Sequence, residues 1–75
     1  MNIHQLVIMA NDISAFFSSE AGQQEAHKSV ALHISRYWDP RMRTQIIAHA
    51  AAGGDGLCQA ALDAVRTLPP PPRRD

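Results

Sequence analysis

Apolar residues recur at the helical period from the amino end of the chain. Ile3, Leu6, Val7, Met9, Ala10, Ile13, Phe16 and Phe17 fall on one broad face. Asn2 stands as N-cap, with Gln5 three positions on as its capping-box partner. The pattern predicts a first helix that opens at Asn2 and dissolves at Ser18, Ser19 and Gly22. A second helix is predicted from about Gln23 to Tyr37, with Ala26, Val30, His33, Ile34 and Tyr37 on one face. Glu25, Lys28, Ser29, Ser35 and Arg36 lie opposite. It must stop near Trp38, because Pro40 disfavours helical backbone at Asp39. Asp39-Pro40 is itself a start signal, Asp as N-cap and Pro at the first helical position. The third helix then carries Met42, Ile46, His49 and Ala50 inward and ends at Gly53-Gly54. A fourth is expected from Gly56 or Leu57. Leu57, Cys58, Ala61, Leu62, Val65 and Leu68 form its apolar side; Gln59, Asp63, Arg66 and Thr67 form its polar side.

No stretch alternates with the period of a strand, so the fold class predicted is all-α: a small bundle of about four amphipathic helices over residues 1–68. Its core is expected from Leu6, Ile13, Phe17, Val30, Ile34, Met42, Ile46, Leu62 and Val65. Pro69 to Pro72 cannot continue a helix, and residues 69–75 are expected to form a short polyproline tail, extended or disordered, ending in Arg73-Arg74-Asp75. Two apolar residues break the pattern: Ile8 projects from the back of the first helix, and Leu32 sits among the polar residues of the second. Single exposed apolar residues are ordinary on a protein surface. The alternative is that both face a partner.

Composition sharpens that alternative. A chain of 75 residues makes one domain. A domain of this size buries only about 60% of the surface its unfolded form exposes, so such chains usually add disulfides, a metal or a partner. Cys58 is the sole cysteine, which excludes an internal disulfide. Lys plus Arg and Asp plus Glu both count 7, so no global field favours nucleic acid or an anionic membrane. The charges are segregated, however. Residues 1–27 carry Asp12, Glu20 and Glu25 without any Lys or Arg, and residues 28–43 carry Lys28, Arg36, Arg41 and Arg43 against Asp39. The longest apolar run, Leu6 to Ala10, is far short of the roughly 20 residues a membrane span needs. With no secretory pattern at Met1-Asn2-Ile3-His4 and one free thiol, a cytoplasmic location is expected.

Candidate chemistry is sparse. His4, His27, His33 and His49 include no i, i+4 pair, and no Cys-x-x-Cys is present, so no metal site is assigned. His33 and His49 are expected to be half-buried and hydrogen-bonded, His4 and His27 solvated. Cys58 is read as a small hydrophobe on an apolar face, although a helix N-terminus can lower a thiol pKa. Gly53-Gly54-Asp55-Gly56 follows a helix rather than a strand and reads as a helix–helix turn, not a phosphate loop. No catalytic or cofactor-binding residue is assigned. The loaded segment is Arg36-Tyr37-Trp38-Asp39-Pro40-Arg41-Met42-Arg43, two adjacent aromatics and three arginines around one corner. It is either a solvated corner pinned by Trp38 or a docking surface. The residue types favour docking, since Trp, Tyr and Arg dominate interface hot spots. Arg36, Tyr37, Trp38, Arg41 and Arg43, with Leu32 and Ile8, are the candidate interface.

The same corner carries a resemblance. Trp38-Asp39-Pro40-Arg41-Met42-Arg43, followed by Gln45-Ile46-Ile47-Ala48-His49, Gly53-Gly54 and Gly56-Leu57, resembles the delta subunit of NAD-dependent formate dehydrogenases. Met9 to Ile13 with Phe16-Phe17, Val30-Ala31 with His33, and Ala64-Val65-Arg66 with Leu68 are similar to the same family. The likeness spans residues 3–68. It departs at Cys58-Gln59, where the family tends to have a polar capping residue followed by proline. The resemblance implies a cytoplasmic heteromeric complex whose catalytic alpha subunit oxidises formate at a molybdenum bis-pterin centre. Electrons then pass over iron–sulfur clusters to flavin mononucleotide (FMN) and NAD, all in partner subunits. It further implies that this chain is a non-catalytic accessory subunit without cofactors. Its partners would be the alpha, beta and gamma subunits, and its role stability, assembly or cofactor maturation. The competing readings are a free chaperone-like or regulatory module that leaves the mature enzyme, and an independent enzyme or ligand binder.

Overall fold

The computed structural model describes residues 2–71, and among them the fold is all-α. Helix α1 spans Ile3–Ala21, α2 Gln23–Tyr37, α3 Pro40–Ala51 and α4 Gln59–Thr67. The Asn2 side chain accepts from the Gln5 amide at 3.0 Å, so Asn2 caps α1 as predicted, without the return bond from the Gln5 side chain that would complete a capping box. Its far end differs: the helix runs through Ser18 and Ser19 to Ala21. Serine costs a helix interior only a few tenths of a kcal/mol relative to alanine, roughly, so nothing halts the chain before a glycine. Gly22, at φ +85°, closes α1 and opens α2 as a one-residue turn. Its amide donates to the Ser18 carbonyl, and its own carbonyl accepts from Ala26.

Helix α2 packs mainly against α1 and α4, while α3 packs on α4 and α1. Leu6, Val30, Ile34, Ile46 and Val65 form the buried centre, as expected. Ile13, Phe17, Met42 and Leu62 lie only half-buried around it. The interior is narrow, and Ala10, Ala26, Ala50, Ala60, Ala61 and Ala64 line it between the larger side chains. Alanines bring the helix axes together and displace longer side chains to the margin. Ser14 is the one buried polar residue among those described, and its hydroxyl donates to the Ala10 carbonyl at 2.8 Å.

The fourth helix starts later than the apolar pattern suggests. Its N-cap is Cys58, exposed and with an extended backbone, and Gln59 is its first residue. Cys58 is therefore a capping residue and not part of an apolar face. The cause lies across the molecule, in α1. The Asn11 side-chain amide donates to the Gly56 carbonyl and accepts from the Cys58 amide, both at 2.9 Å, which holds 56–58 as loop. Gly54, at φ +68°, sits so close to α4 that an added Cβ would lie 2.5 Å from Leu62 Cδ1. Leu68 ends the packed region and Pro69–Pro71 are not helical. The remainder of the expected tail, Pro72 to Asp75, lies outside the described residues.

Candidate docking surface

The corner between α2 and α3 is built from the inside. Trp38 leaves the helical backbone at φ −86°, ψ 136°, and its ring enters the core, 4% exposed. Asp39 accepts the Met42 amide at 2.9 Å and Pro40 sits in the first turn, so α3 starts as its sequence dictates. Arg43 then reaches back. Its Nη1 donates to the Ser35 carbonyl at 3.1 Å and to the Trp38 carbonyl at 3.0 Å. These belong to the orphan carbonyls at the end of α2, where a cation also complements the helix dipole. Trp38 and Arg43 thus make the corner rigid from within, and Arg36, Tyr37 and Arg41 stand outside it.

Tyr37 is 71% exposed. Arg36 and Arg41 are exposed and take part in no ion pair among the described residues, where Lys28 with Glu25 forms a pair at 3.3 Å. Arg41 borders a cleft of about 240 Å³ with Asp39, Met42 and Gln45 at the start of α3. Arg36 and Tyr37 turn the other way, meeting Leu32, Phe17, Ser29 and His33 around a hollow of about 270 Å³ between α1 and α2. Leu32 is 56% exposed at its rim. Ile8, at 58%, lines neither this hollow nor its neighbour and stands apart on the back of α1.

A second hollow, about 330 Å³, adjoins the first through Phe17 and His33 and adds Asp12, Ile13 and Phe16. An aromatic chain runs across both. Phe16 meets Phe17 edge-on at 5.2 Å, Phe17 meets His33 at 6.1 Å, and His33 meets Tyr37 at 4.8 Å between ring centroids. Phe16 is 60% exposed, and placing it on one broad apolar face, without asking how much of that face the core could cover, missed this surface. The signal was the width of the stripe. At roughly 100° per residue the apolar positions of α1 cover about half its circumference, more than one narrow core can bury.

The histidines divide in burial as expected except for His27, and His33 makes ring contacts in place of the expected hydrogen bond. His33 is half-buried within the aromatic chain, and His27 is half-buried rather than solvated, because its position on α2 is only one turn from the core residue Val30. His4 is exposed. The half-buried His49 contacts the Asp55 carbonyl at 2.7 Å. A carbonyl can only accept, so Nε2 carries the proton and closes the α3–α4 turn. Among the described residues, no three His, Cys, Asp or Glu side chains are grouped so as to hold a metal ion, and no helix is long and apolar enough to cross a membrane.

Comparison with known proteins gives one finding. The family model described as NADH-dependent formate dehydrogenase delta subunit FdsD matches residues 5–65, a span that takes in the corner, both hollows and the Asn11 contact. No curated protein and no solved structure matches the chain.

Proposed function

Because the chain belongs to the delta-subunit family of NADH-dependent formate dehydrogenases, we propose that it is a non-catalytic accessory subunit that binds the catalytic alpha subunit within the complex. In this reading it stabilises the complex or assists its assembly or cofactor maturation, in the cytoplasm. The molybdenum bis-pterin, the iron–sulfur clusters and FMN belong to the alpha, beta and gamma partners, and this chain supplies protein surface alone.

The observation that carries the docking assignment is the corner itself. Arg36, Tyr37 and Arg41 project from a turn that Trp38 and the Arg43 hydrogen bonds already hold rigid. A side chain presented from a fixed backbone loses little entropy on binding, and a guanidinium without a carboxylate partner is a donor fork for a partner's acid. Truncating an arginine buried and charge-paired at an interface costs about 2–5 kcal/mol, and a rim arginine much less.

The test is Arg41→Ala and Arg41→Glu in the co-expressed complex. Helicity is measured first, then recovery of the chain with the catalytic subunit. Both variants are expected to fold, and the charge reversal to lose most of the association. Full recovery of both through a high-salt wash contradicts docking through Arg41 and leaves it a solvated residue.

A further inference from the structure

The face between α1 and α2 has the form of a seat. Its two hollows are lined only by α1 and α2 residues, Asp12, Ile13, Phe16 and Phe17 from the first helix and Ser29, Leu32, His33, Arg36 and Tyr37 from the second. Helices α3 and α4 contribute nothing to either hollow. Phe16, Leu32 and Tyr37 consequently keep more than half their surface in solvent.

Resting on the subunit reading above, we propose that one amphipathic helix of a partner subunit lies in this groove, with apolar side chains in the two hollows, a carboxylate toward Arg36 and a basic residue toward Asp12. Three properties of the face select that occupant. The first is backbone chemistry. Away from the helix ends, the amides and carbonyls of α1 and α2 are engaged within their own helices, so no strand can add to them, and side-chain packing is the available mode. The second is shape. A groove between two helices accepts the ridge of a third, and a delta-subunit family places other chains beside this one. The third is charge. Asp12 stands on the α1 rim and Arg36 on the α2 rim, and neither takes part in an ion pair among the described residues. A helix with opposite charges on its two flanks satisfies both and can enter in only one orientation. The aromatic chain between the rims supplies large, stiff contact area, the usual centre of such interfaces.

The probe is benzoylphenylalanine, a photo-reactive residue, placed at position 16 or at position 32 in the chain co-expressed with the dehydrogenase subunits. Illumination of the purified complex and mass spectrometry of the peptides read out the neighbour. Both positions are expected to cross-link to one helical segment of a partner subunit, at residues three, four or seven apart. Arg36→Glu is expected to lower recovery of the chain by about tenfold or more in salt, since it sets an acid against the partner's carboxylate. Replacing that carboxylate with lysine is expected to restore recovery. Cross-links into another copy of this chain, or into scattered segments, overturn the proposal. So does a co-purifying complex that gives no cross-link at either position, and in that case the subunit reading survives. If the unmodified chain does not co-purify at all, the subunit reading fails and this proposal fails with it.

Discussion

A guanidinium carries five donors and no acceptor, so a half-buried arginine must find oxygen atoms. Arg43 finds the carbonyls of Ser35 and Trp38 at the end of α2, which would otherwise end without partners. That Arg43 belongs to the corner was legible in the sequence. That its head turns back to Ser35 was not, because the direction depends on how Trp38 breaks the helix and where Pro40 restarts it. Arg43→Ala is therefore expected to destabilise the fold by about 1–2 kcal/mol, the cost of two charge-assisted bonds and exposed helix-end carbonyls. Arg41→Ala, on the exposed side of the same helix, is expected to change stability by less than about 0.5 kcal/mol. Denaturant titration of the two variants checks the contrast. Equal midpoints for both would show that Arg43 does not clamp the corner.

At the scale of elements, the sequence predicts each helix and misplaces two ends, both for identifiable reasons. Helix α1 passes Ser18 and Ser19 because only Gly22 supplies a positive φ. Helix α4 waits until Gln59 because Asn11, 47 residues away from Cys58, holds the loop open. A contact between residues so distant leaves no mark on local periodicity. Cys58 occupies the capping position and Gln59 the first helical one. Cys58 makes no side-chain capping bond. A carboxylate there can accept from the amides of the first turn and meet the positive end of the helix dipole. Cys58→Asp is expected to stabilise the chain by about 0.5–1 kcal/mol, which in a domain this small raises Tm by a few degrees, on the order of 4 °C. An unchanged or lower Tm would show that the capping geometry is different in solution.

For the whole molecule, the question is what a small domain does with the apolar surface its core cannot take. Half the answer was visible in the chain. Leu32 stood out on a polar face, and the arginines clustered around one aromatic corner. The other half was hidden in α1, where Phe16 followed the core period yet ended outside, beside Phe17, His33 and Tyr37. Membership of a delta-subunit family supplies the setting in which we propose that this surface finds a partner. A retained subunit and a passing assembly factor differ in stoichiometry, and the reading proposed for this chain is the former. The direct measurement is native mass spectrometry of the affinity-purified dehydrogenase after gel filtration in high salt. This chain is expected at one copy per catalytic subunit in the intact, active complex. An active complex of full catalytic content from which the chain is absent would contradict it.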